Sequence, residues 1–334
     1  MTFHSIRPFM GDIDALISEA TDTDGKTYAQ PAFKNLGSVS IVLVREVISP
    51  ASFRNADAEI TDIEVAGRRH VRAVANKFKF GERARGLQVL RHFNAGGVSP
   101  QNRTAFHKNE RPSAKFDLNA FVFGDSANHG SRVLPVKAAA QYSDAVSVQD
   151  YGDAVDLTFH NRASEDGSLF DAQGKKNSTN IFERHFIKPG TLLIQTISFN
   201  GRTAPIEALE HLLLSVGLAG AYGGATSIYG INVRNHIVGI YGGRFERDLV
   251  SPYVALQTLR GQLIDGSDAT AVVEALAAAH RAAWSVEVQG REVHAAQVAL
   301  IDRLEGGDEV MAAGYTETAA KLRSYFDLWF DGVS

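Results

Sequence analysis

Gly25-Lys26-Thr27 has the ending of a phosphate-binding P-loop. Such a loop also needs a glycine five residues before Gly25, so that backbone amides curl around the phosphate. That position is Ala20 and no strong strand leads into the segment, so the match fails; a GxGxxG fingerprint is absent as well. Helical spacing aligns Glu207 with His211, but a metal site needs three or four converging ligands. His107, His129, His160, His185 and His236 have no ligand-like spacing and read as surface or structural histidines. Asp125-Ser126 and the carboxylates Asp150, Asp153 and Asp156 invite a catalytic story, but nothing in their spacing sets a base beside a nucleophile. Asp125-Ser126 is more economically a side-chain-to-backbone turn. The chain contains no cysteine, which excludes thiol nucleophiles, cysteine-ligated zinc, iron–sulfur clusters and disulfides.

Ala221–Asn235, AYGGATSIYGINVRN, offers more. Gly223 and Gly224 permit close backbone approach, and Thr226 and Ser227 add hydroxyl donors. Tyr222 and Tyr229 could stack on bases, and Arg234 and Asn235 stand at the start of a strand. Amides, hydroxyls and an arginine in one loop make a phosphate cradle; a flexible connector with an aromatic anchor is the competing reading. A second feature is the polar tract at 161–180, with Lys175 and Lys176 at its tip and Phe170 and Phe182 beside them. A hairpin carrying such a tip can wedge between bases, and a plain surface loop is the alternative.

Charge is distributed unevenly. The formal net charge is −4, yet Arg68–Lys115 holds twelve basic residues against Glu82 and Glu110, and the chain from Glu246 onward holds seven basic and fourteen acidic ones. Segregation of this kind costs self-repulsion unless a polyanion or an acidic neighbour offsets it. A solvated basic face is one reading, and a phosphate-backbone track is the other.

The elements that must position these residues follow from the pattern. With 334 residues, 44% hydrophobic and 22% charged, the chain can bury a sizeable core as one elaborated domain or two. The N-terminal segment lacks an apolar stretch of signal-peptide length and no 18-residue apolar run follows, so a soluble cytoplasmic protein is expected. Strands are expected at 38–49, 116–123 and 190–199, a β-ribbon at 58–80, a short helix at 83–93, an extended hairpin at 144–187 and a helix at 204–218. A strand at 235–241 would complete a strand–helix–strand unit with parallel pairing. Alanine-rich amphipathic segments at 268–284, 290–305 and 315–330 read as packed helices.

Four segments, NKFKFGERARGLQVL (76–90), FVFGDSANHGSRVL (121–134), FHNRASEDGSLFDAQGK through FERHFIKPG (159–190) and YGGATSIYGINVRNHIVGI (222–240), occur in the order of a known family. The sequence resembles the RAMP-type repeating backbone subunit of Cascade-type CRISPR effector complexes, the family called Cas seven. It is most similar to the subtype I-D version, with the type IV backbone subunit the nearest competitor. The resemblance implies an α+β fold. An RRM-like, ferredoxin-type palm spans 1–245, with a basic insertion at about 55–115 and a thumb hairpin at about 144–187, and a helical subdomain covers 246–334. It implies a non-catalytic subunit of an antiviral ribonucleoprotein that polymerises as a helical filament along crRNA. Guide bases stay free to pair with target DNA, so protein reads backbone shape and base pairing reads sequence.

Carried onto this chain, the RNA-binding residues are Lys77, Lys79, Arg83, Arg85, Ser126, Arg132, Tyr222, Gly223, Gly224, Thr226, Ser227, Arg234 and Asn235. Phe170, Lys175 and Lys176 form the thumb contact. The family tends to carry another basic residue near Ile228 or Tyr229, which this chain lacks. Relatives that slice RNA use a loop aspartate, a role for which Asp150 or Asp153 could stand, but the resemblance is to non-cleaving types. No cofactor or metal is expected, and no membrane. Expected partners are crRNA, the target DNA strand, further copies head-to-tail, a Cas five-like cap, a crRNA-processing subunit, and a helicase or nuclease. The acidic end, including Asp302, Glu305, Asp308 and Glu309, would face a basic surface or another copy. Two other classes compete: a single-strand nucleic-acid-binding protein outside CRISPR, and an α+β enzyme with an unrecognised site.

Overall fold

The computed structural model describes residues 3–54, 60–98, 116–129, 132–161, 170–171, 176–177, 181–262 and 264–330. A hairpin of β1 (Ile17–Thr21) and β2 (Thr27–Pro31) leads into β3 (Ser38–Val47), the β-branched run that forms the centre of the sheet. β4 (Asp62–Val65) and β5 (Arg68–Ala73) make the expected ribbon, which stops earlier than its alternation suggests because α1 (Asn76–His92) has already begun. α2 (Leu118–Phe123) replaces the strand expected at 116–123. Asp117 caps it by accepting from the Ala120 amide, and all six of its residues are buried. A run buried on every side has no period by which helix and strand can be told apart.

The chain continues through the hairpin β6 (Asp125–His129) and β7 (Arg132–Val136), the short β8 (Gln141–Tyr142) and β9 (Ala145–Asp150). A helical turn, α3 (Tyr151–Ala154), precedes β10 (Val155–Asn161), and two-residue strands β11 (Phe170–Asp171) and β12 (Lys176–Asn177) come before β13 (Ile181–Ile187). β10 and β13 pair antiparallel from Val155↔Ile187 to Asn161↔Ile181. The long hairpin therefore starts at Val155 rather than near 144, because β9 belongs to the main sheet, where it pairs with β14 and β5. β14 (Leu192–Asn200), α4 (Ile206–Leu218), the turn α5 (Thr226–Tyr229) and β15 (Val233–Gly243) follow. The last quarter holds α6 (Pro252–Gly261), α7 (Ala269–Ala283), β16 (Val286–Gln289), α8 (Gly290–Glu305) and α9 (Glu309–Trp329).

The central sheet runs β16-β15-β3-β14-β9-β5-β4, with every neighbour antiparallel, so the fold is α+β. β14 and β15 point the same way, as the strand–helix–strand reading required. They are not paired, however: β3 lies between them, antiparallel to both. Side chains alternate across β3 with the period of two that a pleated strand imposes. Val39, Ile41 and Leu43 pack in the core formed with α1, α2, α4, α8 and α9, while Val42 and Val44 pack against α6 and α7. Helices on both faces explain the apolar run of Ile41, Val42, Leu43 and Val44 at its middle. Gly86 lets α1 approach α4 closely, since a Cβ there would lie 2.2 Å from Asn119 Oδ1 and 2.8 Å from His211 Nε2. Among the described residues no helix is long and apolar enough to cross a membrane.

Candidate nucleic-acid interface

The cluster that organises the site is buried. Arg45, on β3, donates from Nε to Gln195 Oε1 at 2.6 Å and from Nη1 to Glu82 Oε1 at 2.7 Å and Asn235 Oδ1 at 2.9 Å. Its guanidinium lies 4.3 Å from the Phe78 ring centroid. Glu82 also accepts from the hydroxyls of Tyr142 and Tyr222, the latter at 3.0 Å. Burial and then the Glu82 charge push both tyrosines above their ordinary range, so they stay protonated as donors. Arg45 itself is held above its ordinary value: burial opposes the charge, but Glu82 and the two tyrosine oxygens outweigh it. One of the two acids in the basic stretch is thus a pin between β3, α1 and the glycine-rich loop, not a surface counter-charge.

That pin sets the loop. Tyr222 is 1% exposed, and its backbone is held at both ends by Asn232, whose Oδ1 accepts from the Tyr222 amide and whose Nδ2 donates to the Tyr222 carbonyl. Its ring is core, which corrects the expectation that it stacks on a base. Gly223 follows at φ +79°, where a Cβ would lie 2.3 Å from the Ser52 carbonyl oxygen. Only glycine fits there without displacement. The Gly224 amide donates to that same carbonyl at 2.8 Å. On its other side the segment pairs with the base of the hairpin, Ala51 and Ile187 exchanging two backbone hydrogen bonds.

Clamped in this way, Arg54 sits on the boundary of two clefts. One, of about 420 Å³, is lined by Arg54, Asn76, Lys77, Phe80, Gly223 and Gly224. The other, of about 240 Å³, is lined by Ser52, Arg54, Arg184, His185, Gly224, Ala225 and Tyr229. Three cations, glycine backbone and aromatic rings converge, a set suited to holding a phosphate chain rather than to moving protons. Lys77 donates to the Arg54 carbonyl, which holds the helix start against the segment.

The remaining expected residues divide between this place and others. Lys79 and Arg83 are one turn apart on the next face of α1. Burial, then the neighbouring Arg83, lowers the Lys79 pKa, and Arg83 pairs with Asp125 at 2.7 Å. Asp125 also accepts from the Ser126 amide at 2.8 Å, but the two residues open β6, paired with β7, rather than forming the expected turn, and Ser126 is exposed. Arg85 donates to Gln88 at 2.8 Å. Thr226 is half-buried and Ser227 exposed, both on α5. Arg234 is exposed and pairs with Glu46 at 3.2 Å, while Asn235 is half-buried and its Oδ1 accepts from Arg45. Arg132, Phe170 and Lys176 fall on β7, β11 and β12; Lys175 lies outside the described residues, as do Arg103, Lys108, Arg111 and Lys115 of the basic stretch.

Much of the basic excess is answered locally: Arg68 by Asp150, Arg69 by Asp62 and Arg72 by Asp144. Asp150 is further held by Arg260 at 2.8 Å. Arg54, Arg184 and Phe80 are site residues that the pattern did not single out. Arg54 stands just before the basic stretch and Arg184 on a hairpin arm, and only the fold sets them both beside Gly224. His211 is a structural histidine, between Asn119 at 3.1 Å and Tyr315 at 3.2 Å, with burial holding its pKa down to about 3.

A family model described as Csc2 Crispr matches residues 28–305. The chain is similar to the crystal structure of Thermofilum pendens Csc2, with a TM-score of 0.62 over 99% of this chain and 96% of that one at 15% identity. Two chains described as a CRISPR RNA-guided surveillance complex, one of them pre-nicking, are looser likenesses. Their TM-scores are 0.43 and 0.45, with 14% and 11% identity over 73% and 74% of this chain and 85% and 89% of theirs. No curated protein matches. With the family model spanning most of its length and the fold shared with a solved Csc2, the chain belongs to the Csc2 CRISPR family.

Proposed function

We propose that this chain is a non-catalytic crRNA-binding backbone subunit of a type I-D or type IV CRISPR interference complex, copies of which follow one another along the guide. The observation that carries the reading is the pair of clefts sharing Arg54 and Gly224, lined by Lys77 on one side and Arg184 on the other. Cations on a backbone-lined groove gain affinity by releasing counterions from phosphates, whatever the base sequence. The hairpin of β10 and β13 rises from the same place, and the Csc2 family membership is consistent with a role in a CRISPR ribonucleoprotein. The RRM-like palm of the resemblance is supported by the β-α-β-β-α-β course of β3, α1, β9, β14, α4 and β15. Held by its phosphates, the guide presents its bases to target DNA.

The test is to co-express the chain with a repeat–spacer array and sequence the nucleic acid that purifies with it. Uniform guide-length RNA with repeat-derived ends is the expected result. Random RNA that moderate salt removes, or none, contradicts the reading. Preference for RNA over DNA of the same sequence separates it from general single-strand binding, since only RNA offers a 2′-hydroxyl.

A further inference from the structure

Phe78 and Phe80 stand two residues apart on α1 with opposite fates. Phe78 is fully buried beneath Arg45, whereas Phe80 leaves 66% of its surface exposed. Helical spacing sets Phe80 on the same face as Lys77, one turn on, and both line the cleft that Gly223 and Gly224 floor. Arg54 and Gly224 border this cleft and the next, so they form the ridge between the two. A cation on a ridge beside an open apolar ring matches a flat apolar group joined to an anion, which is the chemistry of a nucleotide. Tyr222, the ring in the glycine-rich loop, cannot serve because it is locked in the core.

We propose that Phe80 is a base-stacking residue: it receives one nucleobase of the bound single-stranded RNA in the 420 Å³ cleft, with the adjoining phosphate on the Arg54–Gly224 ridge. The proposal rests on the RNA-binding reading above and adds a base contact to what would otherwise be a backbone track. Stacking tolerates any base, because every base has a π-face, so the contact is compatible with guides of all sequences.

The test uses the full chain with single-stranded RNA of guide length, comparing wild type with Phe80→Ala and Phe80→Trp. Phe80 is exposed, so neither change removes core packing. Phe80→Ala is expected to bind about five- to a hundredfold more weakly. Its salt dependence should be unchanged, since no phosphate contact is lost. Phe80→Trp should retain affinity. With 2-aminopurine scanned through the RNA, wild type should quench it at a defined position and Phe80→Ala should relieve that quenching; an abasic site there should remove the difference between the two proteins. Unchanged affinity of Phe80→Ala, while Arg54→Ala and Lys77→Ala weaken binding, overturns the stacking proposal and leaves the RNA reading intact. Normal single-copy affinity with lost self-assembly overturns it too, by assigning Phe80 to a protein contact. Wild type that binds no RNA overturns both readings together.

Discussion

The Arg45 guanidinium and the Glu82 carboxylate meet at 2.7 Å with neither side chain reaching solvent. The pair joins the central strand to the helix that carries Lys77 and Phe80, and through Tyr222 to the loop that carries Gly223 and Gly224. Breaking a buried pair by neutralising one partner leaves the other charge uncompensated. Glu82→Gln is therefore expected to lose about 3–5 kcal/mol of stability, read from urea unfolding midpoints. A midpoint equal to that of wild type would remove the pair from its place as the organising pin.

The two glycines of the loop should respond differently to the same change. Gly223→Ala must adopt a positive φ and put its Cβ 2.3 Å from the Ser52 oxygen, whereas the nearest atom to a Cβ on Gly224 is 3.8 Å away. Gly223→Ala is expected to cost about 1–3 kcal/mol and to weaken RNA binding by shifting the cleft floor. Gly224→Ala should leave thermal stability close to wild type. Equal losses at both positions would contradict this account of the loop.

Acid should weaken the fold through two histidines. Burial holds the pKa of His211 to about 3 and of His280 to about 4, against an ordinary value of 6.5. The unfolded chain therefore takes up protons below about pH 6.5 that the folded chain refuses, so stability falls as pH drops from 6.5 toward 4 and is independent of these groups above it. Among the described residues neither ring nitrogen of His280 has a hydrogen-bond partner, and its ring stacks on Tyr241 at 4.9 Å between centroids. His280→Leu should remove about 1 kcal/mol of the loss between pH 7 and pH 5.5, measured by denaturant unfolding at the two values. An identical pH dependence in the variant would mean that the histidine is not held neutral.

The acidic end offers a test of assembly. Asp302, Glu305 and Glu309 are exposed, whereas Asp308 caps α9 by accepting from the Met311 amide and pairs with Arg303 at 2.9 Å. Asp308 is therefore left alone, because reversing it would damage the helix. Reversing the other three to lysine should weaken association between copies on guide RNA while single-copy RNA affinity holds or rises, as sedimentation on short and long RNAs would report. Undiminished assembly would assign that surface another role.

Much of the architecture was legible where one physical signal dominated. The continuous β-branched run of β3, the leucine stripe of α4 and the alanine-rich α7 and α8 were each expected close to their observed bounds, while α9 begins at Glu309, six residues before the expected 315. The failures came where periodicity is uninformative. α2 is buried on all sides, and the start of α1, NKFKF, alternates like a strand because Phe78 faces the core while its charged neighbours do not. Lys77, expected from the resemblance, and the glycine pair, expected from its loop, line one cleft. Phe80 was not legible, because an aromatic ring in an apolar pattern reads as core until the fold leaves it exposed. Nor were Arg54 and Arg184, because pairings distant in sequence, Ser52 with Gly224 and Ala51 with Ile187, place them. Tyr222 misled for the same reason: its partner, Glu82, is 140 residues away.

The most direct measurement is the salt dependence of RNA affinity for wild type and for the triple variant Arg54→Ala/Lys77→Ala/Arg184→Ala, using two guide-length RNAs of unrelated sequence. Each lost phosphate contact on a single strand should flatten the plot of log K against log salt by about 0.7. The account predicts equal affinities for the two sequences, a steep slope in wild type, and a slope shallower by about 2 in the triple variant. A wild-type affinity indifferent to salt, or a triple variant with the wild-type slope, would contradict it.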